Sequence, residues 1–74
     1  MFRNNFFERT VFMTIIAIYI FRDPQTADHA LEQLWRNLSG GFERSAGSAV
    51  WISTDCLNPR LAGQICESLG GEGK

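Results

Sequence analysis

The feature that most limits what this chain can become is an apolar run over residues 10–21, where Val11, Phe12, Ile15, Ile16, Ile18, Tyr19, Ile20 and Phe21 crowd together. β-Branched and aromatic residues of this kind favour extended backbone. A strand apolar on both sides reads as one buried on both faces, and therefore central in its sheet. An edge strand would normally show alternation or protective charge. From Val11 to Phe21 the run is eleven residues long and includes Thr14, too short to cross the roughly 30 Å hydrocarbon layer as a helix. Arg22-Asp23-Pro24, which follows, lacks a small-residue cleavage pattern. No membrane partner is expected, and the chain reads as cytoplasmic.

Two helices are marked by the same start signal. Asp23-Pro24 and Asn58-Pro59 each place a capping side chain before a proline, whose fixed φ suits the first helical position. After the first, Ala27, Ala30, Leu31, Leu34, Trp35 and Leu38 form an apolar stripe, with Asp28, His29, Glu32, Gln33 and Arg36 on the other face. Glu32 and Arg36 are spaced for an i,i+4 pair. After the second, the stripe is Leu61, Ala62, Ile65, Cys66 and Leu69. Gly40-Gly41 and Gly70-Gly71 are read as the two stops, because glycine tolerates a left-handed closing conformation. Leu34 and Ile65, at the centres of the stripes, are the expected core residues of the helices.

Between the helices, residues 42–45 suggest a short strand and Ala46-Gly47 a turn. Residues 48–54 follow as a clearer strand, with Val50 and Ile52 on one side and Ala49, Trp51 and Ser53 on the other. The order strand, helix, short strand, strand, helix makes an α+β chain with both helices on one face of a small sheet. It forms one domain over residues 1–74, with residues 72–74 a frayed tail. Residues 1–10 scatter Phe2, Phe6 and Phe7 among polar neighbours without a regular period. Met13 offers a second start that would make the preceding residues an extension; otherwise they form an N-terminal arm.

A chain of 74 residues has little core to spare, since one this short buries only about 60% of the surface its unfolded form exposes. Small domains compensate with disulfides, metals or association. Cys56 and Cys66, ten apart, match neither a redox pair nor paired zinc ligands, and read as small apolar residues. No structural metal or cofactor is expected, which leaves association. The formal net charge of −1 offers no clustered basic surface, so nucleic acid is not an expected partner.

Candidate chemistry is sparse. His29 is the only histidine and follows Asp28, but both fall on the polar face of their helix, where a solvated histidine is the better reading. Asp23 and Asp55 each close a strand before a helix. Were those strands parallel neighbours, the two carboxylates would meet at one sheet edge and suit Mg²⁺; as structural residues, Asp23 caps its helix and Asp55 supports a turn. The diglycines follow helices, whereas phosphate loops precede them. No serine has a base beside it in sequence, so no nucleophilic triad is argued. Trp51 reads as core, and Trp35 as core or interface.

The order of elements and two stretches carry a family resemblance. One is Ile18-Tyr19-Ile20-Phe21-Arg22-Asp23-Pro24, leading into a helix with Ala30, Leu31 and Leu34. The other is Ser48-Ala49-Val50-Trp51-Ile52-Ser53-Thr54-Asp55, leading to the second helix. Over residues 14–69 the chain resembles a truncated ferredoxin-like domain of the small CRISPR-associated endoribonuclease-like family and its stand-alone relatives. In nuclease members of that family an aspartate directly after the strand's tyrosine binds a divalent metal. This chain has Ile20 there, which offers no oxygen ligand. The family's last strand is also expected to be missing, leaving an edge of the first strand open. The function expected is a small non-enzymatic interaction module, paired with itself through the sheet edge or docked on an unidentified protein. Phe2, Phe6, Phe7, Phe12 and Trp35 are its expected contact residues. The alternative is a Mg²⁺-dependent nuclease of the resembled type, using Asp23 and Asp55.

Overall fold

In the computed structural model, which describes residues 14–74, the elements run β1 (Ile15–Ile20), α1 (Pro24–Asn37), β2 (Phe42–Ser45), β3 (Ala49–Ser53), α2 (Pro59–Ser68) and β4 (Glu72–Gly73). The four strands make one sheet in the order β2-β3-β1-β4, with every neighbouring pair antiparallel. This is the α+β, ferredoxin-like arrangement with its last strand cut to two residues.

That last strand corrects an expectation. Residues 72–74 are not a frayed tail: Glu72 and Gly73 pair with Ile20 and Tyr19, and the Lys74 N–H donates to the Ile18 carbonyl at 2.8 Å. Glycine-rich sequence carries no strand propensity. What holds β4 is the unpaired side of β1, which supplies hydrogen-bonding groups that need partners.

Both helix starts form as read. Asp23 is the N-cap of α1, accepting hydrogen bonds at 2.7 Å from the Thr26 N–H and from its hydroxyl. Asn58 caps α2 through the Leu61 N–H. The ends differ. Gly70, with φ +91°, closes α2 as expected: its N–H donates to the Glu67 carbonyl and the Gly71 N–H to the Cys66 carbonyl, the paired bonds of a Schellman motif. α1 instead stops at Asn37, because Leu38 turns to extended backbone while its N–H still bonds to Leu34. Gly40-Gly41 lies beyond that stop, and Gly41 serves close packing against Cys56 rather than capping.

The core lies between the helices and one face of the sheet. Phe21, Phe42, Val50 and Ile52 pack there against Ala27, Ala30 and Leu34 of α1 and Ala62 and Cys66 of α2. Ala17 and Tyr19 of β1 pack partly against this cluster. Leu34 is fully buried as expected, whereas Ile65 is only partly buried at the margin. The small Ala62 and Cys66 occupy the centre of the α2 stripe because α2 lies close to the sheet; a Cβ on its Gly63 would stand 2.6 Å from the Tyr19 hydroxyl. Arg44 fastens β2 to the start of α1 by donating to Asp28 at 2.6 Å and to the Pro24 carbonyl. Asp28 is thus paired across elements, while Glu32 and Arg36 do not form the expected pair among the ion pairs of the described residues.

Cys56 and Cys66 are both free and buried, as befits small apolar residues. Burial, with Glu67 nearby, pushes the Cys66 thiol from its ordinary 9.0 up to about 11. A thiol whose folded-state pKa is raised favours the fold below its unfolded value and loses that contribution as pH climbs. Stability is therefore expected to fall between pH 9 and 11, and Cys66→Ser to flatten that slope in denaturant titrations. An unchanged slope would show that Cys66 does not titrate in this range.

Candidate interaction surface

The helices cover one face of the sheet; the other is built by strand alternation. On β1 the core side takes Ala17 and Tyr19, so Ile16, Ile18 and Ile20 point to the opposite side. Ile16 is 49% exposed and Ile20 37% exposed. This corrects the reading of β1 as buried on both faces: the strand is apolar on both sides, but its helices cover only one. On β3 Val50 and Ile52 lie in the core as expected and Ala49 and Trp51 stand beside the isoleucines. Trp51, read as core, is half-buried there, and Ser53 at the strand end is fully buried, its hydroxyl donating to the Gly41 carbonyl. A register shift between Ile15 and Ala17 marks a bulge against β3, and Ile15 there is half exposed as well.

Register arranges this open face in rows. Ile18 pairs with Trp51 and Trp51 with Glu43 of β2, while Lys74 bonds to Ile18 from the other side. One row therefore reads Glu43, Trp51, Ile18, Lys74. The next reads Ser45, Ala49, Ile20, Glu72. An apolar centre two strands wide is thus flanked by polar and charged residues on β2 and β4, the layout of an interface with a dry core and a wet rim.

A smaller apolar feature lies at the end of α1. Trp35 is 55% exposed and meets Phe42 edge-on at 4.7 Å between ring centres. With Leu38, Gly40 and the 90% exposed Leu57 it lines a shallow groove of about 500 Å³. Of the expected contact residues, Trp35 is thereby placed on the surface, and Phe2, Phe6, Phe7 and Phe12 lie outside the described residues.

The carboxylate pair considered for Mg²⁺ is not brought together. β3 runs antiparallel to β1, and the residues that follow each strand lie at opposite ends of the sheet. Asp23, after β1, is committed to capping: the Thr26 hydroxyl and N–H, followed by Arg22, hold its carboxyl below the usual range. Asp55, after β3, is exposed, and its N–H donates to the Ser53 hydroxyl. Among the described residues no group of three or more His, Cys, Asp or Glu side chains is placed to hold a metal. His29 is exposed, as expected. Tyr19 turns its phenol towards α2, where burial, then Glu67 and Cys66, raise its pKa. Among the described residues no helix is long and apolar enough to cross a membrane.

Comparisons with family models, with curated proteins and with solved structures found no match for this chain.

Sequence reasoning missed the open face, although its residues were in view. The signal was the excess of isoleucine on β1: only two helix stripes were available to cover a sheet with two apolar sides, and both stripes precede or follow strands in the order that puts helices on one face.

Proposed function

We propose that this protein is a small interaction module that pairs with a second copy of itself through its sheet. The observation that carries this reading is the open face, where Ile16, Ile18 and Ile20 stand beside Trp51 with Ile16 and Ile20 substantially exposed. Burying such a patch is favourable by about 25 cal/mol per Å² of apolar surface, and a chain with so small a core gains from it. The sheet edge contributes less than the sequence suggested, since β4 already occupies the outer side of β1 from Ile18 to Ile20.

The resemblance to the endoribonuclease-like family remains part of this proposal at the level of architecture. Its nuclease chemistry is not: the metal-binding position is Ile20, which points out of the open face between Ala49 and Glu72, and Asp23 and Asp55 face different ends of the sheet.

Light scattering at micromolar concentration is expected to give twice the mass of one chain. Ile16→Lys, an exposed change that leaves the core alone, is expected to shift the protein to monomer with its circular dichroism intact. A wild-type monomer that persists on concentration would overturn the reading, and Mg²⁺-dependent cleavage of RNA by the pure protein would favour the nuclease instead.

A further inference from the structure

The two rows on the open face are self-complementary, and with the exposure of Ile16 this constrains how a second copy sits. Face-to-face sheets in a symmetric dimer are related by a twofold axis lying between them. If that axis runs parallel to the strands, midway between β3 and β1, each row meets the same row of the partner in reverse order. Glu43 then lies over Lys74 of the second copy and Lys74 over its Glu43. Trp51 lies over Ile18, Ile18 over Trp51, and the small Ala49 over the larger Ile20. In the second row Ser45, a hydroxyl donor, lies over Glu72, an acceptor. The reversed order thus matches charge with opposite charge, donor with acceptor, and large with small.

The other axis in the interface plane, perpendicular to the strands, lays β2 over β2 and β4 over β4. Run along the first row, that axis sets Glu43 against Glu43 and Lys74 against Lys74, with no second cation on this side of β2, since Arg44 alternates to the helix side and is held by Asp28 and Pro24. Like charges juxtaposed at an interface disfavour that docking. Run between the rows instead, the axis sets Lys74 against Glu72 but carries the exposed Ile16 to the level of the residues beyond Ile20, past the end of β1, and leaves it uncovered.

We infer that a second copy of this chain covers the open face about a twofold axis parallel to the strands, with Glu43 of each copy paired to Lys74 of the other. The inference rests on the self-pairing proposed above and adds its geometry. Sheets packed in this way lie about 10 Å apart with strands within roughly 30° of alignment, and β2 and β4 are three strand spacings apart, about 14 Å. The charged pairs therefore sit at the rim, where side chains of their length reach across and where salt screens them.

The test is a charge exchange read by analytical ultracentrifugation of the full chain. Glu43→Lys alone places lysine against lysine twice in each dimer and is expected to weaken association about tenfold at low salt. Lys74→Glu alone is expected to do the same. The double variant Glu43→Lys/Lys74→Glu restores both pairs in reverse and is expected to return within about threefold of the original affinity. Its dependence on 0.5 M salt should also return, with the single variants gaining relative to it as repulsion is screened. A dimer whose affinity ignores all three variants, or one that the double variant fails to rescue, overturns this geometry while leaving self-pairing intact. A monomeric wild type overturns both.

Discussion

Leu34→Ala is expected to cost about 2–5 kcal/mol, the range for truncating a leucine in a packed core. Leu34 is fully shielded from solvent. It stands at the centre of the α1 stripe and belongs to the cluster that includes Phe42, Val50 and Ile52. In a chain of this size a loss of 3 kcal/mol corresponds to a melting point lower by roughly 12–24 °C. Ordinary domains have only about 5–15 kcal/mol in total, so much of the variant would be unfolded on moderate warming. Ile65→Ala is the contrast: Ile65 is partly buried at the edge of the same core, and a smaller loss is expected. Urea unfolding of the two variants beside the parent checks both statements. A change below about half a kcal/mol for Leu34→Ala would mean that the core is not where this arrangement puts it.

The parts of the fold legible in the sequence are those where local chemistry and tertiary position agree. Asp23-Pro24 and Asn58-Pro59 specify helix starts by hydrogen bonds within a single turn, so no distant residue is needed to read them. Val50 and Ile52 alternate with Ala49 and Trp51, and a period of two assigns these four to their faces. Gly70 and Gly71 close α2 through bonds to carbonyls three and five residues back, respectively, again a local matter.

Where the reading failed, the deciding partner was distant. β1 is apolar on both sides, and periodicity cannot tell whether a second apolar face is covered by the same chain; only the placement of both helices on one side exposes Ile16 and Ile20. β4 has no propensity of its own and exists because Ile18, Tyr19 and Ile20 offer it a ladder. The direction of β3 relative to β1, which separates Asp23 from Asp55, follows from two things together: α1 returns the chain so that β2 runs parallel to β1, and the turn after β2 then reverses it. The turn is legible at Ala46-Gly47, but the direction of β2 relative to β1 depends on how the α1 crossover packs on the sheet, which no local signal carries.

Gly41 joins these two kinds of information and carries the second large expected effect. In sequence it looks like a helix stop, yet α1 has already ended at Asn37. Its φ of +91° lies where L side chains are strained. A Cβ there would also stand 2.2 Å from the Cys56 nitrogen, 2.3 Å from the Cys56 Cα and 2.7 Å from the Asp55 carbonyl carbon. These are backbone atoms, so no rotamer change relieves the collision. The Gly41 carbonyl meanwhile accepts the Ser53 N–H at 2.8 Å and the Ser53 hydroxyl at 3.3 Å, holding the start of β2 against the end of β3. Gly41→Ala is therefore expected to combine strain of about 1–2 kcal/mol with a backbone clash of about 1–3 kcal/mol or more, and to loosen the β2–β3 contact. Gly47→Ala separates the two effects. Gly47 also has positive φ, +78°, but nothing lies within 4 Å of a Cβ built on it, so only the strain is expected. Denaturant unfolding of both variants decides the point: equal losses would show that the chain relieves the contact with Cys56 by moving, and that Gly41 is needed for its backbone angle alone.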